Sequence, residues 1–265
     1  MDLSGSFDHP KVPKNFGSDM SSDKLPTYII HHSRDVLIQL LPQEGIAAEL
    51  GVAEGAFSES ILKYSRPRKL HLIDCWEHQD REDYLPDGNN VPEDEQQGRF
   101  ETVSEMFSGQ VSEGQVAIHR AFTTDAAKGF ERGYFDWVYV DAMHTYDAVL
   151  ADLRAFSPLV RENGFIAGHD YANHPAALAE GYGVIEAVNE FVKESGSHLL
   201  LLTEDGYPSY IIAKQPDSEE TRRMRMLIEA QLKFLKVYDF LSRRFVQEVC
   251  FDINGKPFDV RPAIY

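Results

Sequence analysis

Short apolar runs alternate with segments of helical spacing through the middle of the chain, and this alternation constrains the fold more than any other feature. Strands separated by helices of this length form βαβ units, which give a mostly parallel sheet with helices on both faces. The sequence therefore predicts a doubly wound α/β fold. The runs that we expect to be its strands are 46–50, 69–74, 115–119, 135–141 and 164–168.

Two further apolar runs follow the alternating region. Residues 198–203 and 209–213 are joined by Asp205-Gly206-Tyr207-Pro208, a sequence typical of a turn. The complete sheet is therefore predicted to have seven strands and to end in an antiparallel hairpin.

Three regions are expected along the chain. Residues 1–25 lack apolar periodicity and are predicted to be a flexible arm, and residues 26–215 form the α/β domain, opening with a helix over 26–41. Residues 216–265 are predicted to be a C-terminal helical extension. In it, a long amphipathic helix covers about 218–248, and a second hairpin turns at Asn254-Gly255.

The net charge of −17 limits the partners of the chain. A negative surface repels nucleic acids and anionic lipid heads, so neither is expected as a partner. The chain carries only two cysteines, no basic and apolar leader, and no run of about 20 apolar residues. These features indicate a cytoplasmic protein that acts on a small molecule.

A glycine turn follows the first strand of the alternating region. Glu49 ends the strand, and Gly51 and Gly55 lead into a helix, where glycine permits a tight turn and close approach to a ligand. The spacing is not the G-x-G-x-x-G of dinucleotide binding, and a plain tight turn is the alternative. Asp74 ends the next strand, where nucleotide-binding α/β folds place an acid that accepts hydrogen bonds from ribose.

Ionisable residues cluster after two later strands. Asp141 and His144 follow one strand, and His169-Asp170 follow the next. If these strands are neighbours, the four side chains converge at the sheet edge where α/β folds bind ligands.

These motifs together resemble those of class I S-adenosylmethionine-dependent methyltransferases of the sugar and macrolide O-methyltransferase branch. The resemblance covers about 26–213 and implies a Rossmann-like methyltransferase fold, with transfer to a hydroxyl of a sugar or natural product. Its motifs are Glu49-x-Gly51-x-x-x-Gly55, Asp74, Asp141-Ala-x-His144-x-Tyr146, Gly164-x-Ile166-x-Gly168-His169-Asp170-Tyr171 and Gly183-Val184-x-x-Ala187-Val188.

The resemblance also implies cofactor-binding residues. The methionine part of S-adenosylmethionine would lie against Glu49 and the loop of Gly51, Val52, Ala53 and Gly55, with Asp141 nearby, and Asp74 would hold the ribose. Position alone places three residues near the adenine, namely Cys75, Trp76 and Thr123.

Two hypotheses for activating the acceptor hydroxyl remain open. In one, Asp141, His169 and Asp170 bind a divalent metal such as Mg²⁺ or Mn²⁺; the histidine departs from the all-oxygen set of metal-dependent relatives and favours a metal that tolerates imidazole. In the other, His144 or His169 is a general base oriented by a carboxylate. A minor alternative gives His144 a structural role as a helix cap.

The sequence also leaves open two other functions and the role of one further segment. A nicotinamide-dependent oxidoreductase and a non-catalytic cofactor-binding or assembly subunit are the alternative functions. The C-terminal helix is a candidate contact for a homo-oligomer. The acidic insertion over 77–97 either covers the site or is an ordinary surface loop.

Overall fold

The computed structural model describes residues 25–82, 84–254 and 256–265. Its strands are Thr27–Ile30 (β1), Ile46–Leu50 (β2), Lys69–Asp74 (β3), Val116–Arg120 (β4), Phe135–Val140 (β5), Val160–Gly168 (β6), His198–Thr203 (β7), Tyr210–Ala213 (β8), Phe234–Val237 (β9), Phe245–Phe251 (β10) and Pro257–Ile264 (β11). Its α-helices are Arg34–Leu40 (α1), Ala56–Tyr64 (α2), Glu93–Met106 (α3), Ser108–Ser112 (α4), Thr123–Ala126 (α5), Tyr146–Phe156 (α6), Pro175–Ala179 (α7), Val184–Ser195 (α8) and Glu219–Gln231 (α9).

One mostly parallel sheet organises the molecule. The strand order is β4-β3-β2-β5-β6-β8-β7-β1-β9, in which β8 runs antiparallel to both β6 and β7. The predicted α/β fold and its antiparallel hairpin are thus confirmed. The strand count of seven is too small, because β1 and β9 extend the sheet beyond β7.

Helices cover both faces of the sheet. Along β5, Trp137 and Tyr139 pack in the apolar core that includes α1, α2 and α9, whereas Val138 and Val140 pack in the core that includes α6 and α8. Successive residues of a strand point to opposite faces, so a strand buried on both faces is apolar almost throughout. The sheet is therefore doubly wound.

The predicted helix over 26–41 is only partly correct. Residues Thr27–Ile30 form strand β1, which pairs in parallel with β7, and the helix begins at Arg34. A short apolar run fits a buried strand as well as a helix, and the open edge of β7 selects the strand here.

The predicted helix over 218–248 is also too long. Helix α9 ends at Gln231, and the following apolar residues form β9, which pairs antiparallel with β1. The second hairpin is confirmed as β10 and β11, although it begins at Phe245 and its turn residue Gly255 lies outside the described residues. The predicted arm, residues 1–25, lies almost wholly outside them as well.

The chain order of the strands defines a crevice between β2 and β5. From β2 the chain continues to β3 on one side, whereas β5 leads to β6 on the other, and ligands of open α/β sheets bind outside the carboxyl ends of strands at such a switch point. Within the described ranges, no helix is both long and apolar enough to cross a membrane.

Candidate functional site

The glycine turn lies at the carboxyl end of β2, against the carboxyl end of β5. Gly51 has a φ of +84°, and a Cβ at this position would overlap the backbone carbonyl of Asp141. The Asp141 amide donates to the Leu50 carbonyl at 2.8 Å, which holds the two strand ends together. Only glycine fits this conformation and this close contact, so the turn is built around Gly51.

Asp74 is tied to the same turn. One of its carboxylate oxygens accepts hydrogen bonds from the amides of Val52 and Ala53 at 2.9 and 3.0 Å, and the other accepts from the amide of Trp76 at 2.8 Å. These hydrogen bonds use three of the four lone pairs of the carboxylate, so Asp74 can shape the loop and still accept one hydrogen bond from a ligand hydroxyl.

A cavity of about 580 Å³ opens beside the turn. This volume lies in the range of small-molecule and cofactor sites. Five predicted cofactor residues besides Gly51 are in its lining, namely Ala53, Asp74, Cys75, Thr123 and Asp141. Asp141 also lines a second cavity.

Two predicted cofactor residues are placed behind the cavity wall. The Trp76 side chain is fully buried, and its indole nitrogen donates to the Ala53 carbonyl at 2.9 Å. Gly55 begins α2 with a φ of +81° and faces Phe107 and Val103. Both residues support the loop from outside the cavity.

The predicted ionisable residues do converge. Asp170 lies at the centre of the cluster, because one of its carboxylate oxygens is 3.0 Å from Nε2 of His144 and 3.1 Å from Nδ1 of His169. Asp141 lies 3.8 Å from the same His144 nitrogen. Asp170 has a φ of +62°, a strained conformation of the kind often retained at functional sites.

The insertion over 77–97 reaches this cluster. Asp87, whose side chain is 4% exposed, lies 2.8 Å from Nδ1 of His144. Both ring nitrogens of His144 therefore face carboxylates, and the ring of Tyr182 packs on the imidazole at 4.5 Å. Helix α6 begins at Tyr146 with Thr145 at its cap position, so His144 is not a helix cap.

A second cavity, of about 400 Å³, contains the cluster and adjoins the first. Gly51, Ala53 and Asp141 line both cavities, and Glu49, Val52, His144, His169 and Asp170 line the second. Arg34, Tyr182 and Tyr207 are also in its lining. Arg34 donates to Asp141 at 3.2 Å and lies over the ring of Phe57.

Burial and close charges perturb the protonation of these groups. Burial raises the pKa of Glu49 to about 8, although the Ser58 hydroxyl that donates to it opposes the shift. Burial would raise the pKa of Asp170, but hydrogen bonds from His144 and His169 hold it far below its ordinary value. Burial would lower the pKa of His144, but its three carboxylate neighbours raise it well above its ordinary value.

One group of side chains in the described part of the chain has the geometry of a metal site. Asp141, His144 and Asp170 each offer a ligand atom within 4.8 Å of the others. Two oxygens and one nitrogen suit Mn²⁺, Fe²⁺ or Zn²⁺ better than Mg²⁺. Nδ1 of His169 also lies 3.1 Å from Asp170 and 3.9 Å from Asp141, so the set of Asp141, His169 and Asp170 stays a prediction beside this one.

Three residues of the site were not predicted from the sequence: Arg34 and Tyr182 line the second cavity, and Asp87 contacts His144. Arg34, Asp87 and Tyr182 come from segments far apart in the chain, and no local pattern marks them as ligand-facing. The acidic composition of the insertion was the only signal for Asp87.

The strand order, the glycine turn after β2 and the acid at the end of β3 define a Rossmann-like methyltransferase fold. Residues 48–171 match the model of a family described as a methyltransferase domain. This match spans 124 of the 265 residues and includes both strand ends that line the crevice. A search of curated proteins finds no match to the chain.

Solved structures are similar to part of the chain at low sequence identity. A SAM-dependent methyltransferase from Aquifex aeolicus has 13% identity and a TM-score of 0.49, covering 69% of this chain and 89% of its own. An O-methyltransferase family protein from Burkholderia thailandensis has 11% identity and a TM-score of 0.47, covering 70% and 56%. Spermidine synthase from Thermotoga maritima has 15% identity and a TM-score of 0.45, covering 76% and 63%. At sequence identities and TM-scores this low, these structures do not identify the reaction of this chain.

Proposed function

We propose that the protein transfers a methyl group from S-adenosylmethionine to a hydroxyl of a small polar acceptor, such as a sugar or a natural product. The observation that carries this proposal is the pair of adjoining cavities that share Gly51, Ala53 and Asp141. One cavity suits a nucleoside cofactor, and the other contains the Asp/His cluster. Their shared wall is where two bound molecules would meet.

The first cavity fits the cofactor by its residues. Gly51 leaves open backbone at the turn, Asp74 retains one lone pair for a ribose hydroxyl, and Cys75 and Thr123 also line the cavity. S-adenosylmethionine supplies the methyl group when it is bound there. The contribution of the protein is to align the acceptor with that group and exclude water, which accounts for several kcal/mol of a barrier.

His169 is the better candidate for the base. Both nitrogens of His144 face carboxylates, so this imidazole has no lone pair directed at an acceptor. The close carboxylate contacts of His169 are made through Nδ1, which leaves Nε2 to take the hydroxyl proton. Asp170 would orient the ring and stabilise the imidazolium.

The metal hypothesis uses the same cluster differently. Asp141, His144 and Asp170 would hold a divalent cation, with Asp87 orienting His144 through its other nitrogen. A bound cation would lower the pKa of the acceptor hydroxyl. The two hypotheses therefore assign different roles to His144.

A methyl-transfer assay with labelled S-adenosylmethionine and a panel of sugar, polyketide and phenol acceptors tests the proposal. His169→Asn should reduce kcat by about 10²- to 10⁴-fold if His169 is the base, and full activity in excess chelator would remove the metal hypothesis. His31→Asn is the matched control, because His31 is exposed and outside both cavities. Binding of a nicotinamide cofactor in place of S-adenosylmethionine would contradict the proposed function.

Location and assembly are parts of the same proposal. We place the protein in the cytoplasm, since Cys75 and Cys250 are both free thiols.

We also propose self-association through the C-terminal segment, where Phe234 and Leu235 are exposed on β9. Sedimentation velocity of the full chain would test this, and a single monomeric species at high concentration would contradict it.

A further inference from the structure

The C-terminal hairpin carries a buried polar side chain that has no part in the mechanism above. Gln247 on β10 is 4% exposed. Its side-chain oxygen accepts from the Asn173 amide at 2.9 Å, and its NH₂ group donates to the carbonyls of Asp205 and Gly206 at 3.3 and 2.9 Å. A side-chain amide offers one oxygen and two N–H donors, so the oxygen and both donors are engaged. Gln247 therefore joins β10 to two loops that are distant in the chain.

Asn173 makes a second link to the same strand. Its side-chain oxygen accepts from the Gln247 amide at 2.9 Å, and its side-chain nitrogen donates to the Phe245 carbonyl at 3.0 Å. A neighbouring strand would engage the same backbone groups, so the Asn173 side chain takes the place of a strand beside β10. The Tyr171 ring also packs edge-on against Phe245, with 5.3 Å between centroids. The hairpin is thus attached at several points to the loop that follows β6.

The two loops that Gln247 joins form part of the wall of the second cavity. The loop after β6 contains His169 and Asp170, and the loop after β7 contains Tyr207. The Tyr171 amide donates to the Pro208 carbonyl at 2.9 Å, which joins the loops to each other. Among the described residues, neither loop contributes to the lining of the first cavity. A contact that fixes these loops therefore acts on the second cavity and not on the first.

The backbone at Asp170 depends on such contacts. Its φ is +62°, and the Ala172 amide donates to the Asp170 carbonyl at 2.7 Å, which closes a tight turn. A residue other than glycine keeps a strained conformation only where its surroundings fix it. Asn173 is the next residue, and both its backbone and its side chain bind β10. The hairpin therefore restricts the turn that places the Asp170 carboxylate beside His144 and His169.

We propose that Gln247 is a positioning residue for methyl transfer, and that the C-terminal hairpin is a functional part of the acceptor site. This proposal rests on the proposed function. Gln247 acts through the loops of Asp170 and Tyr207, and neither cavity has it in its lining. Loosening these loops shifts the base and the acceptor relative to the bound cofactor, and a misplacement of about 1 Å can cost roughly 100-fold in rate.

Steady-state methyl transfer by the full chain tests the proposal, with the best acceptor from the panel of sugars, polyketides and phenols. Gln247→Ala releases both loops, so kcat should fall and KM for the acceptor should rise, with a loss of about 10- to 100-fold in kcat/KM. Asn173→Ala loosens the Asp170 turn alone and should lower kcat with a smaller change in KM. Calorimetric titration with S-adenosylhomocysteine should give the wild-type Kd for both variants, since neither residue lines the first cavity.

Glu248→Ala is the matched control. Glu248 follows Gln247 on β10, is exposed, and accepts from the Tyr265 hydroxyl at 2.6 Å within the hairpin. Its kcat and KM should therefore equal those of the wild-type protein. Thermal unfolding of each variant separates positioning from stability, because a purely structural role lowers Tm and leaves kcat and KM of the folded protein unchanged.

The possible failures are distinguishable. Wild-type kcat and KM in folded Gln247→Ala would overturn this proposal alone, and so would an equal loss of affinity for S-adenosylhomocysteine. If Gln247→Ala does not fold, the same comparison with Asn173→Ala decides. Absence of methyl transfer by the wild-type protein to every acceptor of the panel would overturn the proposed function and this proposal with it.

Discussion

Gly51 has the largest effect on the site of any single residue, because it has no side chain. Gly51→Ala should destabilise the fold by roughly 1–3 kcal/mol, because φ is +84° and the added methyl group overlaps the Asp141 carbonyl. Urea denaturation measures the change. Gly98→Ala is the control, since Gly98 lies within α3 with open space around it, and alanine there should be neutral or stabilising by up to about 1 kcal/mol. Equal effects of the two substitutions would contradict this account.

Asp152 makes stability depend on pH in a definite direction. Burial is the main cause that raises its pKa from 3.8 to about 7, and the Thr123 hydrogen bond opposes the shift. The folded state therefore keeps a proton that the unfolded chain releases near pH 4. The contribution of this proton to the free energy of unfolding is complete below that pH and is lost as pH rises toward 7.

Asp152→Asn should remove this dependence. Between pH 4 and pH 8 the wild-type protein should lose up to about 4 kcal/mol relative to the variant. Denaturant unfolding of both proteins across this range provides the measurement. Asp94→Asn, an exposed change on α3, should follow the wild-type protein. Parallel pH profiles for wild type and Asp152→Asn would show that the carboxyl is not perturbed.

Asp87 holds the insertion over 77–97 against the site. Asp87→Ala leaves Nδ1 of His144 without its partner and removes the acceptor of the Asn89 amide. Hydrogen exchange at the amides of Leu85, Asp87 and Asn90, which form the turns of the insertion, should accelerate by roughly 10- to 100-fold. Mass spectrometry of exchanged peptides measures this. Asp94→Ala should leave these rates unchanged. Unchanged rates in Asp87→Ala would show that other contacts hold the insertion.

At the scale of the whole molecule, ligand binding should appear as stability. S-adenosylhomocysteine at about 100 times its Kd adds about 2.7 kcal/mol, which for a chain of this size raises Tm by about 5–10 °C. Scanning calorimetry tests this, with Gly51→Ala as a variant that should show a smaller shift. NADH should give no shift. A shift with NADH alone would favour the oxidoreductase alternative.

Local pattern along the chain was enough to predict several parts of the protein. The strands from β2 to β8 were recognisable because apolar periodicity reflects burial on a sheet, and the turn at Gly51 because glycine permits the backbone that it needs. Asp74, Asp141 and Asp170 were located because parallel strands bring their carboxyl ends to one edge.

The partners that these elements meet depend on long-range packing. The segment of β1 is a strand because the edge of β7 offers unpaired backbone groups, and that of β9 because β1 offers the next edge. No periodicity within four residues records either edge. Asp87 and Arg34 join the site through contacts 57 and 107 residues away along the chain. Such contacts depend on the packing of the whole chain, whereas the pattern of a segment carries information only about its own backbone and its buried face.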